Sequence, residues 1–140
     1  MRLFGHPLHP ILVHFPIAFW SAGSLCDVLT LAGVAEARPI AWLAIGAGDV
    51  VAILTMTAGL IDYAELEESA VPAALRHMAW MAAAWLLYAI AFLWRSHGLH
   101  PGDGAMLLPA LCGFAGFAAL IGGAWQGGDL VYRHRAGIAH

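Results

Sequence analysis

Four apolar stretches take up nearly the whole of this chain: from about Pro10 to Val34, from Pro39 to Ile61, from Pro72 to Trp94, and from Ala105 to about Trp125. At about 1.5 Å per residue, each is long enough as a helix to cross a hydrocarbon core of about 30 Å. Lipid offers the backbone no hydrogen-bond partners, so a crossing segment must pair its own N–H and C=O groups, and a single helix does this alone. The chain has 140 residues, 61% of them hydrophobic and 11% charged, with six arginines and no lysine. No material remains for a soluble catalytic domain. The expected architecture is one all-α domain over residues 1–140, an integral membrane up-down four-helix bundle with both termini on the same side and a surface segment over 126–140.

The breaks between the stretches are Glu36-Ala37-Arg38, the acidic run from Asp62 to Glu68, and the segment from Ser96 to Gly104. All are short, which favours antiparallel neighbours. Prolines stand near three of the four starts, where a missing N–H costs little. Arg2 ahead of an apolar run imitates a secretory signal, but His9, Pro10, His14 and Pro16 interrupt that run and no small-x-small site follows, so it reads as a helix of the mature protein. Trp42 and Trp94 fall near one membrane face and Tyr63, Trp125 and Tyr132 near the other, as interfacial belts do, while Trp20, Trp80 and Trp85 lie deeper. Arg2, Arg76, Arg133 and Arg135 belong to the terminal side, against Arg38 and Arg95 opposite, and this asymmetry places the termini in the cytoplasm. A net charge of -3 with scattered basic residues excludes nucleic acid as a partner. Cys26 and Cys112 lie inside apolar stretches without metal-ligand spacing.

Three histidines, His6, His9 and His14, fall within nine residues at the start, and the topology collects them with His77 and His134 on the terminal side. Polar side chains are expensive in lipid, so an intramembrane histidine calls for a partner. His14 is four residues past Pro10 and His77 five past Pro72, which puts both about 6 to 8 Å along their helices from the same face. The first and third helices of an up-down bundle are diagonal neighbours, so these two imidazoles are expected to approach a common centre.

A flat macrocycle between them needs small residues on the other two helices. Gly48, Ala52, Thr55, Gly59 and Asp62 form one face of the second helix; Gly113, Gly116, Leu120, Gly123 and Gly127 form one face of the fourth. This arrangement suits haem b with His14 and His77 as axial ligands, His9 as the first substitute, Gly59 and Gly123 lining the group, and His134 near a propionate. Small residues at helix spacing also serve plain helix packing, or contact with a second copy in a homodimer. Copper or zinc held by His6, His9, His14 and Met56 is the alternative, and a cofactor-free structural subunit is another. Asp27 and Asp49 are expected at one level about 10 to 15 Å from the opposite face, either relaying protons to a quinone or bonded to Ser24, Thr30 or a carbonyl. No Ser-His-Asp set, phosphate-binding loop or HExxH motif is present.

The opening Gly5-His6-Pro7-Leu8-His9-Pro10-Ile11-Leu12-Val13-His14-Phe15-Pro16-Ile17-Ala18 resembles the hallmark of small bacterial membrane proteins grouped as "domain of unknown function twenty-two thirty-one". Asp27, Gly59 to Asp62, His77 and Gly127-Gly128-Asp129-Leu130-Val131-Tyr132 extend the resemblance over almost the whole chain, with Arg135 standing where the family has glycine. The resemblance implies a membrane protein of unassigned function, with some relatives joined to iron–sulfur or c-type cytochrome modules. The expected role is one-electron transfer between a membrane quinol or redox subunit and a partner, as a carrier and not a complete enzyme.

Overall fold

The computed structural model of the chain describes residues 2–3, 6–97 and 106–134, with side chains from residue 8 onward. A two-residue hairpin, β1 (Arg2–Leu3) against β2 (His6–Pro7), precedes five helices: α1 (Leu8–Leu12), α2 (His14–Leu31), α3 (Ala37–Tyr63), α4 (Val71–Ser96) and α5 (Leu107–Tyr132). With α1 and α2 taken together, four helices are long and apolar enough to span a membrane, in agreement with the four apolar stretches.

Local chemistry sets the boundaries. Pro16 has no N–H to offer the Leu12 carbonyl, so one helical bond is missing there, but Val13 keeps helical angles and its N–H and carbonyl still bond His9 and Ile17, so α1 runs on into α2 while packing against α3. Gly33, at φ 99°, closes α2: Val34 N–H bonds the Leu29 carbonyl and Gly33 N–H the Thr30 carbonyl, a left-handed cap that only glycine enters without strain. A 3₁₀ turn over Glu68–Ala70 leads into α4, where Pro72 occupies the first turn. The fourth span runs past the expected end near Trp125 to Tyr132. Gly127 and Gly128 do not stop it because their helical hydrogen bonds remain available, and Arg133 N–H still reaches the Asp129 carbonyl. Most of the expected surface segment over 126–140 is therefore helix as far as the described residues go.

Packing follows the order α2, α3, α4, α5 around a ring, with α2 against α3 and α4 against α5 as the closest pairs. α2 and α4 run parallel across the diagonal, and their inner side chains meet in the middle. Trp20, 1% exposed, stacks on the equally buried Tyr88 with ring centroids 4.8 Å apart and planes 9° from parallel. Ser24 Oγ and Tyr88 Oη are 2.8 Å apart, and Trp20 Nε1 donates to Asp49 Oδ1 at 3.1 Å. Toward the end where α4 finishes, Arg95 Nη2 donates to Asp27 Oδ2 at 2.7 Å, with side chains 3% and 0% exposed.

These contacts correct three expectations. Arg95 is not an interfacial charge; it turns inward because Asp27 on α2 needs a cation at that depth. Asp27 and Asp49 do not share a level, since Asp49 meets Trp20, seven residues or about 10 Å before Asp27 along α2. Ser24 and Thr30 serve neither acid, being bonded to Tyr88 and the Cys26 carbonyl.

Breaking the ion pair from one side strands a buried charge. Arg95→Leu is expected to lower stability by about 3–5 kcal/mol, whereas Asp27→Leu with Arg95→Met together costs much less. Unfolding of detergent-solubilised variants by heat or SDS titration measures both.

Candidate functional site

Two of the histidines turn inward at the end of the bundle where α3 and α5 finish. His9 sits on α1, which packs against α3, and its Nδ1 donates to the Thr55 carbonyl at 2.9 Å. His77, in the second turn of α4, donates from Nδ1 to the Gly123 carbonyl of α5 at 2.8 Å. Both are half-buried, and they lie near enough to interact electrostatically.

Each seat is made by a glycine. A helix carbonyl is already engaged by the N–H four residues on and is shielded by that residue's side chain; here the residue four past Thr55 is Gly59 and the one four past Gly123 is Gly127. A Cβ on Gly59 would stand 3.0 Å from His9 Nδ1, and one on Gly127 would stand 3.1 Å from His77 Cε1. Without those methyl groups the imidazoles lie flat enough on the neighbouring helix to share the carbonyl. A carbonyl only accepts, so Nδ1 carries the proton in both rings and the neutral imidazole keeps its lone pair on Nε2. A backbone carbonyl holding Nδ1–H is the usual second partner of a histidine that gives Nε2 to a metal.

The structure does not bring His14 and His77 together. His14 begins α2 and is exposed on the outside of the bundle; five residues past His9, it stands about 140° around the helix from it. Nor do the two glycine faces line an open slot, since side chains of this chain fill them. Trp20 lies against Gly48, Tyr88 against Gly116, Met81 against Gly123, and the two histidines against Gly59 and Gly127. The same filling removes the condition under which those faces would pack a second copy. Met56 is half-buried on α3, and His134 is exposed just beyond α5, where its neighbour Arg133 pairs with Asp129 at 3.3 Å. His97 is exposed at the end of α4. The side chain of His6, along with His100 and His140, lies outside the described residues.

The donor set discriminates among the groups considered. A zinc or copper ion held by protein alone takes three or four donors. Among the described residues no group of three or more His, Cys, Asp or Glu side chains is placed to hold a metal ion. A porphyrin brings four nitrogens of its own and asks for two axial ones, which is what His9 and His77 offer. His9 and His77 are therefore the two nitrogen donors that the described residues bring to this end of the bundle, and His14 does not join them.

Sequence reasoning missed the two carbonyls, which no residue type announces. A signal bearing on His9 against His14 was present in their spacing: five residues apart on one helix, the two stand about 140° apart and cannot both face inward.

A family model for predicted membrane proteins (DUF2231) matches residues 5–140. No curated protein and no solved structure matches the chain.

Substituting the seat glycines separates packing from stability. Gly59→Ala and Gly127→Ala each gain about 1 kcal/mol of helix propensity and lose a hydrogen bond worth about 1 kcal/mol, so the melting temperature is expected to change little. The ¹⁵N shifts of the affected imidazole should instead lose the fixed Nδ1–H form, each variant altering one ring.

Proposed function

The chain belongs to the DUF2231 family of predicted membrane proteins, and from that premise we propose that it is an electron-transfer component of a bacterial inner membrane that holds haem b through His9 and His77. The observation that carries the reading is the pair of matched seats, in which two imidazoles from different helices each spend Nδ1–H on a backbone carbonyl and keep a lone pair on Nε2. Bound haem supplies one-electron exchange at its iron. The chain's own residues fix the two ligand rings, set their tautomer, and keep the neighbouring interior dry with Met81, Trp20 and Tyr88.

Electrons would pass singly between a membrane quinol or a reduced redox subunit and an acceptor at the histidine-bearing end. That end reads as cytoplasmic, because Arg95 is engaged with Asp27. Of the arginines counted for the opposite face, only Arg38 then remains, against Arg2, Arg76, Arg133 and Arg135. The copper or zinc alternative of His6, His9, His14 and Met56 has less support, because His14 is exposed whereas His9 and Met56 are half-buried.

Protein purified in detergent from cells supplied with a haem precursor should be red and show sharp reduced bands on adding dithionite. His9→Ala and His77→Ala should each abolish the six-coordinate spectrum, and His14→Ala and His97→Ala should leave it intact. A colourless protein, or loss of the spectrum in His14→Ala but not in His9→Ala, would falsify this assignment.

A further inference from the structure

The two histidine seats are copies of one another. His9 bonds a carbonyl 46 residues ahead of it, and so does His77. His77 itself comes 68 residues after His9, and the same offset recurs through the bundle. It separates the stacked rings Trp20 and Tyr88, which also share a hydrogen bond, and it separates the ion-paired Asp27 and Arg95. It carries Gly48, which makes room for Trp20, onto Gly116, which makes room for Tyr88.

Burial repeats with the same step. Buried Pro16, Trp20, Gly23 and Asp27 of α2 correspond to buried Ala84, Tyr88, Ala91 and Arg95 of α4. Buried Ala41, Ile45, Gly48, Ala52 and Thr55 of α3 correspond in the same way to Pro109, Gly113, Gly116, Leu120 and Gly123 of α5. One offset serves both helices of the hairpin, with no insertion or deletion. Outward positions follow it too: Leu25 and Leu93 are both exposed, as are Ile53 and Ile121. The helices α2 and α4 run in the same direction, as do α3 and α5, so the relation between the hairpins is a rotation about the membrane normal. Under such a rotation, residues that meet their own counterparts lie on the axis. Trp20 with Tyr88 and Asp27 with Arg95 do so.

We infer that the chain is two copies of one helical hairpin about a pseudo-twofold axis along the membrane normal, and that His9 and His77 form one ligand site on that axis. Each hairpin contributes the same donor from the same seat. Such a site takes a ligand that presents two equivalent faces, and a metal macrocycle with two open axial positions is the chemical class that does so; this last step rests on the haem reading above. The repeat itself does not.

Two spin-label pairs related by the axis test the repeat in the full-length chain. On a background with Cys26→Ala and Cys112→Ala, labels at Leu25→Cys with Ile121→Cys and at Leu93→Cys with Ile53→Cys should give the same inter-label distance by pulsed electron resonance, to within about 1.5 Å, the rise of one residue. Distances that differ by a helical turn, about 5 Å, overturn the duplication whatever the protein's colour. Titration with ferric protoporphyrin then tests the shared site: His9→Ala and His77→Ala should weaken uptake by the same factor, and weakening by only one of them overturns it. Equal distances in a protein that takes up no porphyrin leave the duplication standing and remove the macrocycle.

Discussion

The interior of this bundle is organised by the refusal of lipid to solvate charge. Asp27 and Arg95 have no water to fall back on, so the carboxylate and the guanidinium hold each other, and in doing so they set the register of α2 against α4 across the diagonal. Once that register is set, Trp20 comes level with Tyr88, and the large stacked rings need glycines opposite them at positions 48 and 116. The remaining helices then close at fixed heights. The histidines stand several turns from the ion pair, yet their common level follows from it.

Glycine does two different jobs here. At most positions along α3 and α5 it makes room for a bulky ring or thioether, the ordinary way in which membrane helices come close. At positions 59 and 127 it uncovers a carbonyl that the helix has already used once, and a second donor can then share it. A histidine so placed loses the freedom to flip or exchange tautomers and gains a defined direction for its lone pair. That is preorganisation achieved by deleting an atom from a neighbour.

Much of the fold was legible in the residues. Four apolar runs of membrane length, short polar breaks and prolines near the starts determine four helices and their antiparallel order, because the bilayer leaves few alternatives. His77 was legible as an inward ligand candidate for the same reason. What sequence could not settle was direction within a span. His9 and His14 are five residues apart, about 140° around a helix, and which of them turns inward depends on how the whole helix is rotated against its neighbours. The glycine faces were seen, but their occupants were not, since a stripe of small residues reads alike whether a cofactor or a tryptophan fills it. The repeat was hidden because the offset preserves environment more than identity: tryptophan answers tyrosine, aspartate answers arginine, and only a minority of residues, His9, Leu25, Gly48, Ile53 and Gly59 among them, recur unchanged.

One of those unlike correspondences has a consequence for assembly. If two first hairpins from separate chains associated, two carboxylates would confront each other where Asp27 now meets Arg95; two second hairpins would confront guanidinium with guanidinium. Both like-with-like unions bury repulsion in hydrocarbon, and only a first hairpin joined to a second is neutral. The ion pair therefore acts as a lock that accepts one complementary key, so that like hairpins are kept apart and unlike ones are joined.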